Sequence, residues 1–334
     1  MALTSTEKLQ EAFSLALEQR SKGYADLVAN ANAILYIWKK KGQFRTFSGP
    51  TIRERLLYNE SGTYTRYSGY DFLNPLPAEL FNDAEFTPKL AAVSVTLSGE
   101  DILKNDGANQ IRNIMTEHIK AGETELVDRF VEDLHSDGTA ANQIGGLKTA
   151  IPTDPTTGTY GGIARSNAIW QTTKFDIDND FTGLSQLLST NVKSIFNQVM
   201  NARSRGNKGP DCIICSSQHY EAYQAATETI QRITEESAMG KLGFTTLKYY
   251  GGGKSIDVVL EGGIGSAMPD DVTYFIDSDG IGFRYHAKRN FAAFGGKQMP
   301  TNQDAIVQHI GFFGEICMSN PLHQAKLYDS DTAS

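Results

Sequence analysis

The longest regular pattern of hydrophobic positions in the chain lies between Ala108 and His135. Apolar side chains recur there mostly at steps of three, four or seven residues, the spacing of one face of an α-helix. These apolar residues are Ile111, Ile114, Met115, Ile119, Leu126, Phe130, Val131 and Leu134. The pattern predicts a helix of roughly 28 residues and about 40 Å, and Gly122 within it predicts a bend or a close contact. Such a helix is either a beam that spans the molecule or an ordinary amphipathic core helix.

A second helical pattern covers residues 5–41 near the N-terminus. Gly23 interrupts the pattern, and the cationic run Lys39-Lys40-Lys41 ends it, where positive charge favours a helix C-terminus. No neighbouring stretch of sequence offers a partner for its apolar residues, which include Trp38. We therefore expect this arm to dock on the body of the protein or on another copy of the chain.

Residues 46–74 change to a strand-like pattern. Thr51–Tyr58 and Thr63–Tyr70 are predicted to pair as a hairpin through residues 59–62, and neither strand shows a fully apolar face. An isolated two-stranded ribbon is marginally stable in water, and Tyr and Arg are enriched at interfaces. We expect this hairpin to lie on another copy; the alternative is a surface hairpin packed on its own core. The candidate inter-subunit contact residues, with one from the arm, are Trp38, Arg53, Arg55, Tyr58, Tyr64, Arg66 and Tyr67.

The rest of the chain mixes helices and strands. A stretch rich in Thr, Gly and Pro from Thr149 to Gly162 predicts a long loop or a crossing between domains. The predicted helices are Asp180–Arg205 and Ser217–Ala226, and the predicted strands are Phe86–Ser98, Cys212–Cys215, Ile256–Leu260, Val272–Ile276, Ile281–His286 and Gln303–Cys317. This order indicates an α+β chain whose last strands return to pair near the long helix.

Composition narrows the class of protein. The 334 residues, 40% of them hydrophobic, suffice for two domains or for one core with large excursions. No run of 18 apolar residues exists, so no transmembrane helix is expected. The N-terminus lacks the basic start and continuous apolar run of a signal peptide. Three cysteines are too few for a disulfide framework, which favours intracellular synthesis.

Charge is unevenly distributed along the chain. Residues 1–58 contain nine Lys and Arg against five Asp and Glu, a net of +4. Because the whole chain carries −8, the remaining residues carry −12. A basic arm on an acidic body favours contact between the arm of one copy and the body of another, or between the arm and a polyanion. Ordinary solvated surface charge is the alternative interpretation.

Tests for catalytic and metal-binding motifs give no strong candidate. Cys212 and Cys215 have zinc-like spacing and His219 follows, but no second cysteine pair exists and the strand is apolar, which favours core packing. Asp176–Asp180 begins like a calcium loop but lacks the required Gly and final Glu, so helix capping is favoured. Gly251–Lys254 lacks the spacing of a phosphate-binding loop. We predict no catalytic, cofactor or metal site, with a metal-dependent enzyme using Cys212, Cys215 and His219 as the less favoured alternative.

The order of predicted elements resembles the major capsid proteins of tailed bacteriophages, which have the Hong Kong 97-type shell fold. The resemblance covers essentially the whole chain, and its most telling short matches are Ile144-Gly145-Gly146-Leu147 after the long helix and Asn167–Trp170 soon after. It implies an N-terminal arm, an extended E-loop hairpin, a P-domain with a long spine helix, and an A-domain. The corresponding ranges are 1–47 for the arm, 48–80 for the E-loop, 81–148 with 295–334 for the P-domain, and 149–294 for the A-domain.

The resemblance also implies a function without catalysis. Capsid proteins of this type form icosahedral shells of hexamers and pentamers that enclose double-stranded DNA, bound without sequence specificity. Because fewer than 50 residues precede the predicted E-loop, a separate scaffolding protein is expected, together with a portal protein; a decoration protein is left open. The expected location is the virion, assembled in the host bacterial cytoplasm, with no membrane partner. An encapsulin-like bacterial nanocompartment shell is the alternative, and no Lys–Asn crosslinking pair is identified.

Overall fold

The computed structural model shows an α+β chain. The residues it describes are 32–57, 63–73, 80–100, 108–227, 246–251, 254–261, 267–298 and 304–330. The helices are α1 Ala33–Lys40, α2 Ala108–Leu134, α3 Leu147–Ala150, α4 Ile177–Asp180, α5 Val192–Arg203 and α6 Ser217–Thr227. The strands are β1 Arg45–Phe47, β2 Ile52–Leu57, β3 Phe81–Phe86, β4 Lys89–Ser98, β5 Thr159–Tyr160, β6 Ile163–Ala164, β7 Thr173–Asp176, β8 Cys212–Cys215, β9 Thr246–Gly251, β10 Lys254–Leu260, β11 Val272–Ile276, β12 Ile281–His286, β13 Ala292–Gln298, β14 Ala305–Met318 and β15 Ala325–Tyr328. None of these helices has the length and apolar character needed to cross a membrane.

The long helix α2 is confirmed, and it packs on a five-stranded sheet. The strand order is β1-β12-β14-β13, and β4 also pairs with β14. The β4–β14 ladder is antiparallel and runs from Ala305 opposite Ser98 to Gly314 opposite Lys89. The last long strand of the sequence therefore returns to pair beside the segment that precedes α2, as its position in the sequence predicted.

Close packing fixes α2 against this sheet. A Cβ atom added at Gly122 would lie 2.8 Å from Val95 Cγ2, so a larger residue there would require Val95 or the helix to shift. Further along α2, the ring of Phe130 is surrounded edge-on by aromatic rings from the sheet. Its centroid lies 5.1 Å from those of Phe283, Phe291 and Phe312. The sheet and the second half of the helix thus share one aromatic core.

A six-stranded sheet with the order β7-β15-β11-β8-β10-β9 forms the second layer. Strand β8 lies inside this sheet and is buried along its whole length. Ile213 and Cys215 point into the core beneath α5 and α6, whereas Cys212 and Ile214 point into the core that contains α2. This sheet therefore separates two apolar cores.

Two strands belong to a different sheet from the one expected for their predicted domain range. Strand β12, within range 149–294, pairs with β14 in the five-stranded sheet. Strand β15, within range 295–334, pairs with β11 and β7 in the six-stranded sheet. The chain thus crosses between the two sheets more often than four simple ranges require.

The helix predicted for Asp180–Arg205 is shorter than expected. Helix α5 begins only at Val192, and the residues before it form turns after the single-turn helix α4. Gly183 has a φ of +79°, which a right-handed helix does not allow. Phe181 and Leu187 are nevertheless buried in the same core as α5. The apolar residues before Val192 therefore mark buried positions in the core and not a continuation of the helix.

The hairpin prediction was wrong in the partner strand. Strand β2 pairs not with Thr63–Tyr70 but with β3, from Ile52 opposite Phe86 to Leu57 opposite Phe81. The pairing observed gives the ribbon one buried face, because Ile52 and Phe86 are both buried, as are Leu56 and Ala84. Residues 63–70 have no apolar alternation that could replace it. The strand predicted for Phe86–Ser98 likewise splits around Pro88, which has no amide hydrogen for the ladder.

Candidate inter-subunit interface

Residues 63–73, the tyrosine-rich segment, expose an unusual amount of aromatic surface. Tyr64 is 84% exposed, Tyr67 64% and Phe72 98%, and Tyr70 and Leu73 are also exposed. The described part of this segment contains no helix or strand. Contiguous exposed apolar surface of this kind marks an interaction site in a folded protein. The segment therefore has the character of a surface that another molecule covers.

The predicted arginine contacts lie on β2 and in the tyrosine-rich segment. Arg53, Arg55 and Arg66 are all exposed. Arg53 forms an exposed ion pair with Glu85 at 2.9 Å between Nε and Oε1. The Arg55 guanidinium lies 4.8 Å from the centre of the Phe81 ring, a cation–π contact across the ribbon. These side chains remain available to a partner. Tyr58, another of the predicted contacts, lies outside the described residues.

Trp38 has a different environment from the other candidates. Its side chain is fully buried in the chain's own core, and Ile34 and Leu35 of α1 are buried beside it in the same cluster. Its position on the helical arm suggested a contact with another copy, but α1 docks on the body of its own chain. Trp38 is therefore a core residue in this conformation. The predicted arm before residue 32 lies outside the described residues.

A buried ion pair fixes the base of the β2–β3 ribbon. Arg284 Nε on β12 donates to Glu54 Oε1 on β2 at 2.5 Å, and its Nη1 donates to the Gln43 carbonyl at 2.9 Å. Both side chains are largely buried, and a buried pair of this kind is costly to break from one side only. Sequence reasoning missed this contact. The available signal was Glu54, a lone charge between Ile52 and Leu56 on the face that becomes buried.

The opposite strand of the ribbon is fixed as well. The ring of Phe86 packs edge-on against Tyr160 with centroids 5.0 Å apart. The Glu85 amide donates to the Gly161 carbonyl at 2.9 Å. A Cβ atom at Gly161 would lie 2.8 Å from Phe86 Cζ, and its φ of +57° also favours glycine. The ribbon is thus held at its base by both strands, while the tyrosine-rich segment, which lies between these strands in sequence, has exposed aromatic side chains.

The Ile144-Gly145-Gly146-Leu147 motif packs directly against the end of α2. A Cβ atom at Gly146 would lie 2.5 Å from the Asp133 carbonyl oxygen and 2.6 Å from the Ser136 amide nitrogen. The Gly145 amide donates to Glu315 Oε1 at 2.7 Å. Burial raises the pKa of Glu315 to about 8. The two glycines therefore permit a backbone crossing between helix and sheet that no larger residue would allow at position 146.

A buried carboxylate joins three separate parts of the chain. Glu261, which follows β10, accepts a hydrogen bond from the side-chain amide of Asn32 and lies 3.3 Å from His135 Nε2. Asn32 also caps α1, accepting from the Ile34 amide at 2.8 Å. His135 follows the last residue of α2. This contact explains how α1 is attached to the junction between α2 and the six-stranded sheet.

The residues tested for metal binding do not converge. Cys212 and Cys215 point to opposite sides of the six-stranded sheet. Burial raises the pKa of Cys215 to about 12 and lowers that of His219 to about 3. His219 Nδ1 is instead 2.8 Å from Thr273 Oγ1. Within the described ranges, no cluster of three or more His, Cys, Asp or Glu side chains could hold a metal ion.

Asp176 caps a helix, as the acidic stretch suggested, but that helix is α4 within the stretch itself rather than the longer helix predicted to begin at Asp180. Its carboxylate accepts from the Asp178 amide at 3.3 Å and from the Asn179 side chain at 2.8 Å. Asp180 in turn accepts from the Asp176 amide at 2.7 Å. These contacts close the single turn of α4 rather than a cation site.

Comparison with known proteins identifies the fold. No protein-family model matches the chain, and no curated protein matches its sequence. The capsid of cyanophage A-1(L) is 13% identical, with a TM-score of 0.61 over 86% of this chain and 90% of that one. The capsid of a native GTA particle is 10% identical, with a TM-score of 0.53 over 87% and 89%. The capsid of an empty GTA particle is 8% identical, with a TM-score of 0.52 over 86% and 88%. This likeness shows that the chain has the Hong Kong 97-type capsid fold, which the order of elements along the sequence resembled.

Proposed function

We propose that this chain is the major capsid protein of a tailed bacteriophage, which assembles into an icosahedral shell of hexamers and pentamers around double-stranded DNA. The observation that carries the proposal is a ribbon held by its own chain at the base and exposing aromatic side chains beyond it. Burial of apolar surface contributes about 25 cal/mol per Å². Covering the tyrosine-rich segment with another copy would therefore favour assembly. The capsid structures with the same fold support this assignment.

The proposed contacts are exposed residues of the ribbon and the tyrosine-rich segment, together with Tyr58, which lies outside the described residues. They are Arg53, Arg55, Tyr58, Tyr64, Arg66 and Tyr67. In terms of this fold, we assign residues 48–80 to the E-loop, 1–47 to the N-terminal arm, 81–148 and 295–334 to the P-domain, and 149–294 to the A-domain. Trp38 is omitted from the contacts because its side chain is buried in its own molecule.

The proposed partners follow from the container role. They are a separate scaffolding protein, a portal protein and double-stranded DNA held without sequence specificity, with the virion as the location and the host bacterial cytoplasm as the place of assembly. The net charge of −8 fits an inner wall that does not hold DNA tightly. A strongly basic wall would bind phosphates in a salt-dependent way and slow packing and release. No catalytic role is proposed for the chain.

Sedimentation and electron microscopy of the expressed chain, with and without its scaffolding protein, test this function. We expect capsomers or closed shells in the megadalton range. A chain that stays monomeric at micromolar concentration under both conditions would contradict the proposal. Uniform shells that close without scaffold and contain protein cargo instead of DNA would favour the nanocompartment alternative.

A further inference from the structure

A basic cleft lies where the chain bends between β1 and β2. It has a volume of about 340 Å³ and is lined by residues of both strands, with the buried Arg284 among them. Arg45 and Arg53 lie along it, and both are exposed. The bend at residues 48–51 places the short strand β1 on one side and the first half of β2 on the other. We call this feature the basic cleft, and the sequence patterns did not predict it.

Among the described strands, β1 has a partner on one side only. Strand β1 is the terminal strand of its sheet and pairs in parallel with β12, from Arg45 opposite Arg284 to Phe47 opposite His286. No described strand pairs with its other edge. Strand β2 likewise pairs only with β3 among the described strands. Unpaired strand edges accept an extended peptide through main-chain hydrogen bonds.

The charges lining the basic cleft favour an anionic occupant. Glu54 is neutralised by Arg284 at 2.5 Å. Arg53 is paired only with Glu85 in an exposed contact, and such pairs contribute little and exchange easily. Arg45 forms no ion pair with any described residue, and its Nε makes one long contact of 3.4 Å to the Gly42 carbonyl. Among the described residues, the cleft thus contains one arginine without an ion-pair partner, Arg45, and one in an exposed pair, Arg53, beside a strand edge that no described strand covers.

We propose that an extended acidic segment of a second copy of this chain occupies the basic cleft as an added strand along β1. The charge distribution favours a second copy, because residues 1–58 carry +4 and the rest of the chain carries −12. Each copy therefore supplies both a basic cleft and acidic surface for its neighbours. This inference rests on the proposed assembly function, and it adds a contact that is separate from the tyrosine-rich segment. An acidic peptide from a different protein is the competing outcome.

Crosslinking from inside the cleft identifies the occupant. Thr46 lies in the middle of β1 and is exposed, so it can carry a benzophenone side chain in the full-length chain. Shells assembled from a mixture of ¹⁴N- and ¹⁵N-labelled chains are irradiated and analysed by mass spectrometry. We expect mixed-isotope links between position 46 and a segment that contains Asp or Glu. Links confined to one copy, links to a different protein, or links to an uncharged segment would each overturn the proposal.

A charge-reversal series tests the electrostatic part. We expect Arg45→Glu to weaken association of copies by roughly tenfold at 50 mM salt and by less at 500 mM. The reason is that the Debye length falls from about 10 Å at 0.1 M salt toward about 3 Å at 1 M, so surface charges interact more weakly. Arg45→Lys should assemble like wild type, and Lys120→Glu on the exposed face of α2 is the matched control. Thermal unfolding of unassembled Arg45→Glu checks that the fold is intact.

The outcomes separate this inference from the proposed function. If wild type forms shells and Arg45→Glu forms them with the same salt dependence, the cleft proposal fails and the capsid function stands. If wild type itself remains monomeric with its scaffold, the proposed function fails and the inference fails with it. Weakened assembly of Arg45→Glu alongside normal Arg45→Lys and Lys120→Glu would support both.

Discussion

Single residues at the end of α2 set how closely the chain can fold back on itself. The space beside Gly146 is filled by backbone atoms of residues 133–136, whereas the space beside Gly145 is bordered by the side chains of Glu315 and Thr149. Backbone at a helix end cannot move aside without disturbing the helix, but a side chain can adjust its rotamer. The two adjacent glycines therefore differ in what they tolerate, although the sequence motif makes them look equivalent.

This difference predicts unequal effects of the same substitution. Gly146→Ala should lower the free energy of unfolding by about 1–3 kcal/mol, the usual cost of forcing extra volume into a packed site. Gly145→Ala is the matched control, because its added Cβ would meet nothing nearer than 3.4 Å, and we expect a change within about 0.5 kcal/mol. Urea denaturation of the unassembled chains measures both. Equal losses in the two variants would contradict the structural distinction.

Glu315 gives a second residue-scale prediction. Burial raises the pKa of its carboxyl from 4.5 to about 8 in the folded chain. Between these values the folded chain holds a proton that the unfolded chain has lost, so the wild-type free energy of unfolding falls as pH rises. Glu315→Gln removes this titration and preserves an acceptor for the Gly145 amide. Its stability relative to wild type should therefore increase from pH 5 to pH 8, by at most about 1.4 kcal/mol per pH unit.

Paired urea titrations at several pH values measure this effect. Glu125→Gln, which removes an exposed carboxylate from α2, controls for the loss of one negative charge. A stability difference between Glu315→Gln and wild type that stays constant from pH 5 to pH 8, or shrinks, would show that the carboxyl does not titrate as its burial requires.

At the scale of elements, the base of the ribbon is buried against the body of the protein, whereas the tyrosine-rich segment has largely exposed side chains. The base buries Ile52, Leu56, Ala84 and Phe86 and holds the Glu54–Arg284 pair. In the tyrosine-rich segment, Tyr67 and Phe72 expose most of their side chains. Changes at the two places should therefore have separable consequences for folding and for assembly.

Substitutions at the two places test this separation. Tyr67→Ser with Phe72→Ser should leave the unassembled chain within about 0.5 kcal/mol of wild type, because exposed side chains contribute little to folding, and should block assembly. Arg284→Met leaves Glu54 buried without its partner and should cost about 3–5 kcal/mol of folding stability. Thermal unfolding and sedimentation velocity give the two readouts. Normal shells from the Tyr67/Phe72 variant would show that the segment is not an assembly contact.

Helices and strands with a clear hydrophobic pattern were predictable from sequence, whereas the pairing of strands and the contacts between distant residues were not. Strands β8, β11 and β12 were predicted with the bounds observed, and α2 ends within one residue of its prediction. The partner of β2 was missed because the choice between residues 63–70 and Phe81–Phe86 depends on which strand covers Ile52 and Leu56, a tertiary property. The Glu54–Arg284 contact was missed for the same reason, since 230 residues separate the two in sequence.

At the scale of the whole molecule, the described structure is a body with two sheets and a ribbon that exposes aromatic surface away from its core. The topology of the body was predictable in outline, because its order of elements already resembled the Hong Kong 97-type fold. The burial of Trp38 in its own chain was not predictable. An amphipathic arm has the same pattern of apolar residues whether it docks on its own body or on another copy. Under the proposed function, another copy covers the tyrosine-rich segment, whereas the chain's own core covers Trp38.

Limited proteolysis can report this difference directly on unmodified protein. Arg66 lies within the tyrosine-rich segment, is exposed, and belongs to a stretch without helix or strand, which are the conditions for rapid cleavage. Trypsin should cut after Arg66 early in the unassembled chain and much more slowly in assembled shells, because a neighbouring copy covers the site. Arg205, which is exposed and forms a β-bridge with Lys208 after α5, provides a slower internal comparison in the same digest. Cleavage after Arg66 at the same rate in shells and in free chains would mean that the segment stays uncovered after assembly, and the ribbon would then lose its proposed role.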